Sequence, residues 1–162
     1  MKHNKKKFVK FTFWLVVVML VGFSLFNLTS EVEYRVQEKQ VLVDNLKGKI
    51  EEIKDEALES LKQCESAGYS EEDGIIIFDS NNQASIGQFQ FQKKTVIHYY
   101  KILFNKDITA KEAVLIAMDT AQAKKLAYEI IYKTEKGHTN WYNCSKKIGL
   151  TETLKIVNKL ES

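Results

Sequence analysis

Cys64-Glu65-Ser66-Ala67-Gly68 is the stretch on which the reading of this chain turns, together with Ser85-Ile86-Gly87-Gln88-Phe89-Gln90, Thr95 and Trp141-Tyr142-Asn143-Cys144. A carboxylic acid stands beside one of only two cysteines, and the other lies 80 positions later, behind a tryptophan. If the two cysteines pair, the span between them is one stapled unit with Glu65 at its entrance. Two free buried thiols are the other reading.

Upstream of this stretch, residues 31–63 contain no proline and a single glycine, Gly48. From Val43 the apolar positions fall at Leu46, Ile50, Ile53, Ala57 and Leu61, in steps of three and four, flanked by Lys, Glu and Asp. Such a stripe predicts a long amphipathic helix. It reads as a stalk whose last turns pack into a domain, or as a parallel homodimeric coiled coil. Small residues at Ser66 and Ala67 and the C-cap chemistry of Gly68 end the helix near Glu65. The negative end of the helix dipole there disfavours ionisation of the carboxyl.

Downstream, Ile75-Ile76-Ile77-Phe78 reads as a strand, Asp79-Ser80-Asn81-Asn82 as a turn, and Ala84 to Gly87 as a returning strand, forming a small β-hairpin. The remainder reads as helix. Lys94 to Asn105 carries Val96, Ile97, Tyr100, Leu103 and Phe104 on one face. Thr109-Ala110-Lys111-Glu112 is a capping box opening a helix over Ala113 to Met118. Another helix runs from Ala121 to Lys136 and stops at Gly137, and Thr151 to Leu160 is the last. The fold class is therefore α+β, mainly α.

The chain's 162 residues suit one modest domain with appendages. Much of the net charge of +3 comes from Lys2, Lys5, Lys6, Lys7 and Lys10, so nothing points to nucleic acid. Those lysines precede Phe11 to Leu28, an uncharged apolar run that would span roughly 27 Å as a helix, close to the hydrocarbon thickness of a bilayer. Glu31 and Glu33 follow it, so a single-pass segment would keep residues 1–10 cytoplasmic and place the rest outside. Neither Gly22-Phe23-Ser24 nor Leu28-Thr29-Ser30 makes a good cleavage site, which favours an uncleaved signal anchor. An oxidising exterior permits a disulfide.

The order of these motifs resembles the lysozyme-like superfamily, in particular soluble lytic transglycosylases and resuscitation-promoting factors. The former show Glu-Ser, then Gly-x-x-Gln, then Thr five residues on, matched by Glu65-Ser66, Gly87-Gln88-Phe89-Gln90 and Thr95. The latter show Cys-Glu-Ser-Gly-Gly, Gln-Phe before a Thr, and a closing Trp-x-x-Cys. Here these are Cys64 to Gly68, Gln90-Phe91 and Trp141 to Cys144. The likeness covers about 80 of the 162 residues. The chain departs from it at Ala67 and Phe89, lacks the proline between Gln and Thr and the Tyr-Asn-Ala-Gly element, and has a longer gap between Glu65 and Gly87.

The resemblance implies a lysozyme-like domain over residues 64–150 that cuts the glycan strands of peptidoglycan, with Cys64 and Cys144 paired. In that chemistry one glutamate, here Glu65, acts as acid and then as base, assisted by the substrate's own N-acetyl group. From the residues alone, glycosidic cleavage needs a proton on the leaving oxygen, which a glutamate kept protonated by apolar neighbours supplies. The other reading of Glu65 is an ordinary helix-terminal carboxylate.

Ser66 bonds Glu65 or caps the helix. Gln90, with Gln88 in the same motif, faces sugar, or links the hairpin to the next helix. Asp79 is a second carboxylate for hydrolysis, or a turn cap. Thr95 starts a helix under the groove. Tyr99 and Trp141 stack on sugars, or belong to the core like aromatics at helical spacing in general. His98 and His138 make no metal pattern with the cysteines, so no metal and no cofactor is expected.

The sequence thus predicts a cytoplasmic tail (1–10), a transmembrane anchor (11–28), a helical stalk (31–63), a lysozyme-like domain (64–150) and a C-terminal helix (151–162). The expected partners are peptidoglycan glycan strands and the membrane. The alternatives are a non-catalytic wall-binding protein and a coiled-coil envelope scaffold.

Overall fold

The computed structural model describes residues 3–67, 75–78 and 83–162, without the side chains of residues 3–18 and 20–30. The chain divides into two compact units, Met1–Gly48 and Lys49–Ser162. Helix α1 (His3–Ser66) contributes residues to both. The expected span 11–28 lies in this helix, where all side chains but that of Met19 fall outside the described residues. Among the described residues no helix is long and apolar enough to cross a membrane.

In the first unit the described side chains of residues 31–46 are exposed, Val43 and Leu46 among them. From Ile50 the same heptad stripe changes character: Ile50 and Leu61 are buried in the second unit, Ile53 and Ala57 are half-buried, and Leu58 beside the stripe is buried with them. Half of the stripe read as stalk is therefore a wall of the compact unit.

That unit contains β1 (Ile76–Phe78), β2 (Ala84–Ile86), β3 (Phe91–Gln92), α2 (Lys93–Phe104), α3 (Ala110–Met118) and α4 (Thr120–Lys133). A 3-10 turn (Gly137–Trp141), α5 (Tyr142–Lys147) and α6 (Leu150–Glu161) complete it. The strands form one antiparallel sheet in the order β1-β2-β3, with Ile77 opposite Ser85 and Ile86 opposite Phe91. The expected two-stranded hairpin thus gains a third strand, which the sequence hides because it runs straight into α2.

Helix α4 is the central element. Ala123, Leu126, Ala127, Ile130 and Ile131 recur at helical spacing and are all buried. They meet Leu58 and Leu61 of α1, Phe89 and Phe91 of the sheet region, Val96, Ile116 and Trp141 in one core. The Thr109–Glu112 capping box forms as its chemistry dictates: the Glu112 amide donates to Thr109 Oγ1 and the Thr109 amide donates to Glu112 Oε2.

Helix α4 ends at Lys133 rather than at the expected Lys136. The Thr134 hydroxyl donates to the Ile130 carbonyl at 2.6 Å, and Gly137 packs so closely on that carbonyl that a Cβ would lie 1.9 Å from it. The chain therefore leaves the helix early and turns into the 3-10 segment.

Gly87 sets the turn between β2 and β3. Its φ is +70°, and a Cβ there would lie 1.8 Å from the Ala117 carbonyl oxygen of α3. Its amide donates to the Ile75 carbonyl at 2.8 Å. Gly87→Ala combines left-handed strain with a backbone clash and should lower stability by about 3 kcal/mol or more. A denaturation midpoint unchanged from wild type would contradict this packing.

Candidate active site

Helix α1 ends at Ser66, and Ala67 takes the left-handed conformation (φ 51°) that the sequence reading gave to Gly68, which lies outside the described residues. This turn leaves Glu65 half-buried on the last turn of the helix. Cys64, one residue earlier, is bonded to Cys144 with Cα atoms 5.8 Å apart. The cross-link fixes the Glu65 end of α1 against the segment that carries Asn140 and Trp141.

Between them lies a cleft of ≈ 410 Å³ lined by Glu65, Ser85, Gln90, Phe91, Gln92, Thr95, Asn140 and Trp141. A depression of this size accepts a small ligand or a short stretch of polymer. Helix α1 contributes from its last turn, the sheet from β2 and β3, α2 from its first turn, and the 3-10 segment from its last two residues.

The walls are held by specific bonds. Trp141 is buried, donates from Nε1 to the Phe89 carbonyl at 2.7 Å and meets Phe91 edge-on with ring centres 5.2 Å apart. Gln90 sits at φ 50°, a left-handed position uncommon outside glycine, and donates from Nε2 to the Gly87 carbonyl at 2.7 Å. The Gly87–Gln90 turn is thus clamped from inside by Gln90 and by the buried Trp141 bonded to its Phe89 carbonyl.

Burial holds the Glu65 carboxyl above the ordinary glutamate range. Among the described residues it has no ion-pair or hydrogen-bond partner to pull it back, and it is the only carboxylate lining the cleft. Among the described residues no group of His, Cys, Asp and Glu is placed to hold a metal ion.

No family model, curated protein or solved structure matches the chain.

Of the residues singled out from sequence, the fold brings Glu65, Gln90, Thr95 and Trp141 together around the cleft. Ser66 and Gln88 are buried and do not line it; the Gln88 Oε1 is enclosed without a hydrogen-bond partner among the described residues. Tyr99 does not line it either, but packs against the core, and its hydroxyl accepts from Asn140. Asp79 lies outside the described residues.

Two features escaped the sequence reading. Asn140 lines the cleft, yet an isolated Asn before a tryptophan carries no local signal. Lys54 belongs to the polar flank of a helical stripe, yet it is buried. Its ammonium donates to Glu161 at 2.7 Å, to Glu51 at 2.9 Å and to the Tyr128 hydroxyl at 3.4 Å, and lies over the rings of Tyr128 and Tyr132. Burial opposes that charge, but the bonds to Glu161, Glu51 and Tyr128 outweigh it and hold the lysine above its usual range. The clasp joins α1, α4 and α6.

The raised Glu65 carboxyl gives stability a pH dependence. The folded state binds its proton more tightly than the unfolded state, so stability falls as pH rises from the ordinary glutamate value through the folded one. Glu65→Gln removes that loss. The variant should melt higher than wild type at pH 7.5 and gain nothing at pH 4, as thermal unfolding at both pH values would reveal. An equal gain at both would mean that ionisation is not the cause.

Proposed function

We propose that the chain is a membrane-anchored, lysozyme-like enzyme that cleaves the glycan strands of peptidoglycan, with Glu65 as general acid and base. The observation that carries this reading is the cleft itself. One half-buried carboxyl, without a partner among the described residues, shares a ≈ 410 Å³ depression with Gln90, Thr95 and Trp141, the positions at which the sequence resembles peptidoglycan-cleaving enzymes. The disulfide adds support, since it suits a domain on the outer side of a membrane anchored through residues 11–28.

In this mechanism the protonated Glu65 gives its proton to the bridging oxygen as the bond from that oxygen to the sugar C1 breaks. The acetamido carbonyl oxygen of the same sugar bonds to C1 and takes up the developing positive charge. The C6 hydroxyl oxygen then displaces it at C1 and loses its proton to the Glu65 carboxylate, which restores the acid and leaves a 1,6-anhydro end. If water attacks instead, it loses the proton and a reducing end forms. A single carboxyl is sufficient for the first route.

Mass spectrometry of purified peptidoglycan after incubation with the full-length protein tests this, because the two kinds of end differ by one water. Anhydro ends are the expected product, and reducing ends would make the enzyme a muramidase. No released fragment from protein with its disulfide intact overturns the proposal. Wall pelleting would then separate a binder from a protein with no affinity for the wall.

A further inference from the structure

Strand β1 is an outer strand of the sheet, and Ile76, Ile77 and Phe78 are 47, 42 and 68 % exposed. Three consecutive large apolar side chains on an open edge, with neither a charge nor a proline among them, make a surface suited to pairing with another strand. The register shows which backbone groups are on offer. The Gly87 amide donates to the Ile75 carbonyl, so Ile75 and Gly87 form a hydrogen-bonded pair, and along an antiparallel ladder such pairs alternate. The next bonded pair is Ile77 with Ser85. The N–H and C=O groups of Ile76 and Phe78 therefore point away from β2 toward the free edge, and among the described residues nothing takes them up.

We infer that this edge pairs with β1 of a second copy of the chain, joining two three-stranded sheets into one of six strands. The spacing of the free groups is self-complementary. A half-turn about an axis normal to the sheet, passing between the two Ile77 residues, sets Ile76 opposite the partner's Phe78 and Phe78 opposite the partner's Ile76. Each of these pairs exchanges two backbone bonds, so every outward group of β1 is used. Ile77 meets the partner's Ile77 in the closer, non-bonded pairing, and all the side chains across the junction are apolar.

The junction has a consequence for the cleft. Ile77, Ser85 and Gln92 stand opposite one another on the three strands and so project from one face, and Ser85 and Gln92 line the cleft. The half-turn preserves that face. Both clefts of the dimer then open on the same side of the sheet, with their Ser85 residues three strand spacings, ~14 Å, apart. None of this depends on what the clefts bind.

Sedimentation velocity of the full-length protein in density-matched detergent, over a concentration series, tests the pairing beside two variants. Ile76→Pro removes an outward N–H and spares the bonds to β2, a position at which an edge strand tolerates proline. Ile77→Lys sets two ammonium groups against each other on the axis. Wild type should pass from monomer to dimer as concentration rises. Each variant should raise the dissociation constant about tenfold with its melting transition retained. Ile77→Lys changes an exposed side chain and keeps the test decisive if Ile76→Pro fails to fold. Wild type that stays monomeric throughout overturns the inference and leaves the edge to a strand of another protein. A dimer that Ile77→Lys retains unchanged overturns it too, because the contact then lies elsewhere in the chain.

Discussion

Glu65→Gln should reduce the release of fragments from peptidoglycan by about 10²–10⁴-fold, the range over which a positioned acid or base accelerates proton transfer. The amide keeps the shape of the carboxyl but has no proton of suitable acidity to give and no basic oxygen to take one back. The reaction therefore loses both halves of its cycle together. Nothing in the surroundings argues that the fold would suffer, because the carboxyl has no ion-pair or hydrogen-bond partner among the described residues to leave stranded. The loss should appear in kcat, with affinity for the wall retained, and the disulfide and melting transition should persist. A variant that still releases fragments at more than about a tenth of the wild-type rate would remove Glu65 from the mechanism.

Loss of the Cys64–Cys144 bond should cost about 4–5 kcal/mol of stability, from the chain entropy released when a loop of 80 residues is opened. Small domains hold only about 5–15 kcal/mol in all, so the Cys64→Ser, Cys144→Ser double variant should lie near its unfolding transition at 37 °C. Guanidinium denaturation of the oxidised protein and of the double variant measures the difference directly. Fragment release should fall in parallel, because the bond joins the helix end bearing Glu65 to the segment bearing Asn140 and Trp141. A midpoint that does not move on reduction would show that the core of α1, α4 and the sheet positions the cleft unaided.

Where local chemistry decides an element, the chain can be read directly. The Thr109–Glu112 box opens α3 as written, and the apolar recurrence along α4 names its buried face. The order of α1, the first two strands, α2, α3, α4 and α6 follows from the same signals, whereas β3, the 3-10 turn and α5 do not. Elements fixed by distant contacts are harder to see. Strand β3 is two residues long and depends on pairing with β2, and α4 stops short where the Thr134 hydroxyl takes the Ile130 carbonyl and Gly137 packs against it.

The site divides the same way. Glu65, Gln90, Thr95 and Trp141 stand in a recognisable order, and they share one cleft. Asn140 becomes meaningful only when Gly137 and Tyr99, which is 41 positions away, close on its amide. Lys54 resembles the other charged residues of its helix until Tyr128, Tyr132 and Glu161 enclose it. Neither feature leaves a periodic trace, because Tyr99 in one and Tyr128, Tyr132 and Glu161 in the other come from distant parts of the chain.

The bond between Cys64 and Cys144 also makes a covalent ring of everything from Glu65 to Asn143, including every residue that lines the cleft. A protease that cuts one peptide bond inside this ring linearises it but sets no fragment adrift. The carboxyl and the residues that face it stay in one molecule after such a nick, and a second cut is needed before any piece can diffuse away.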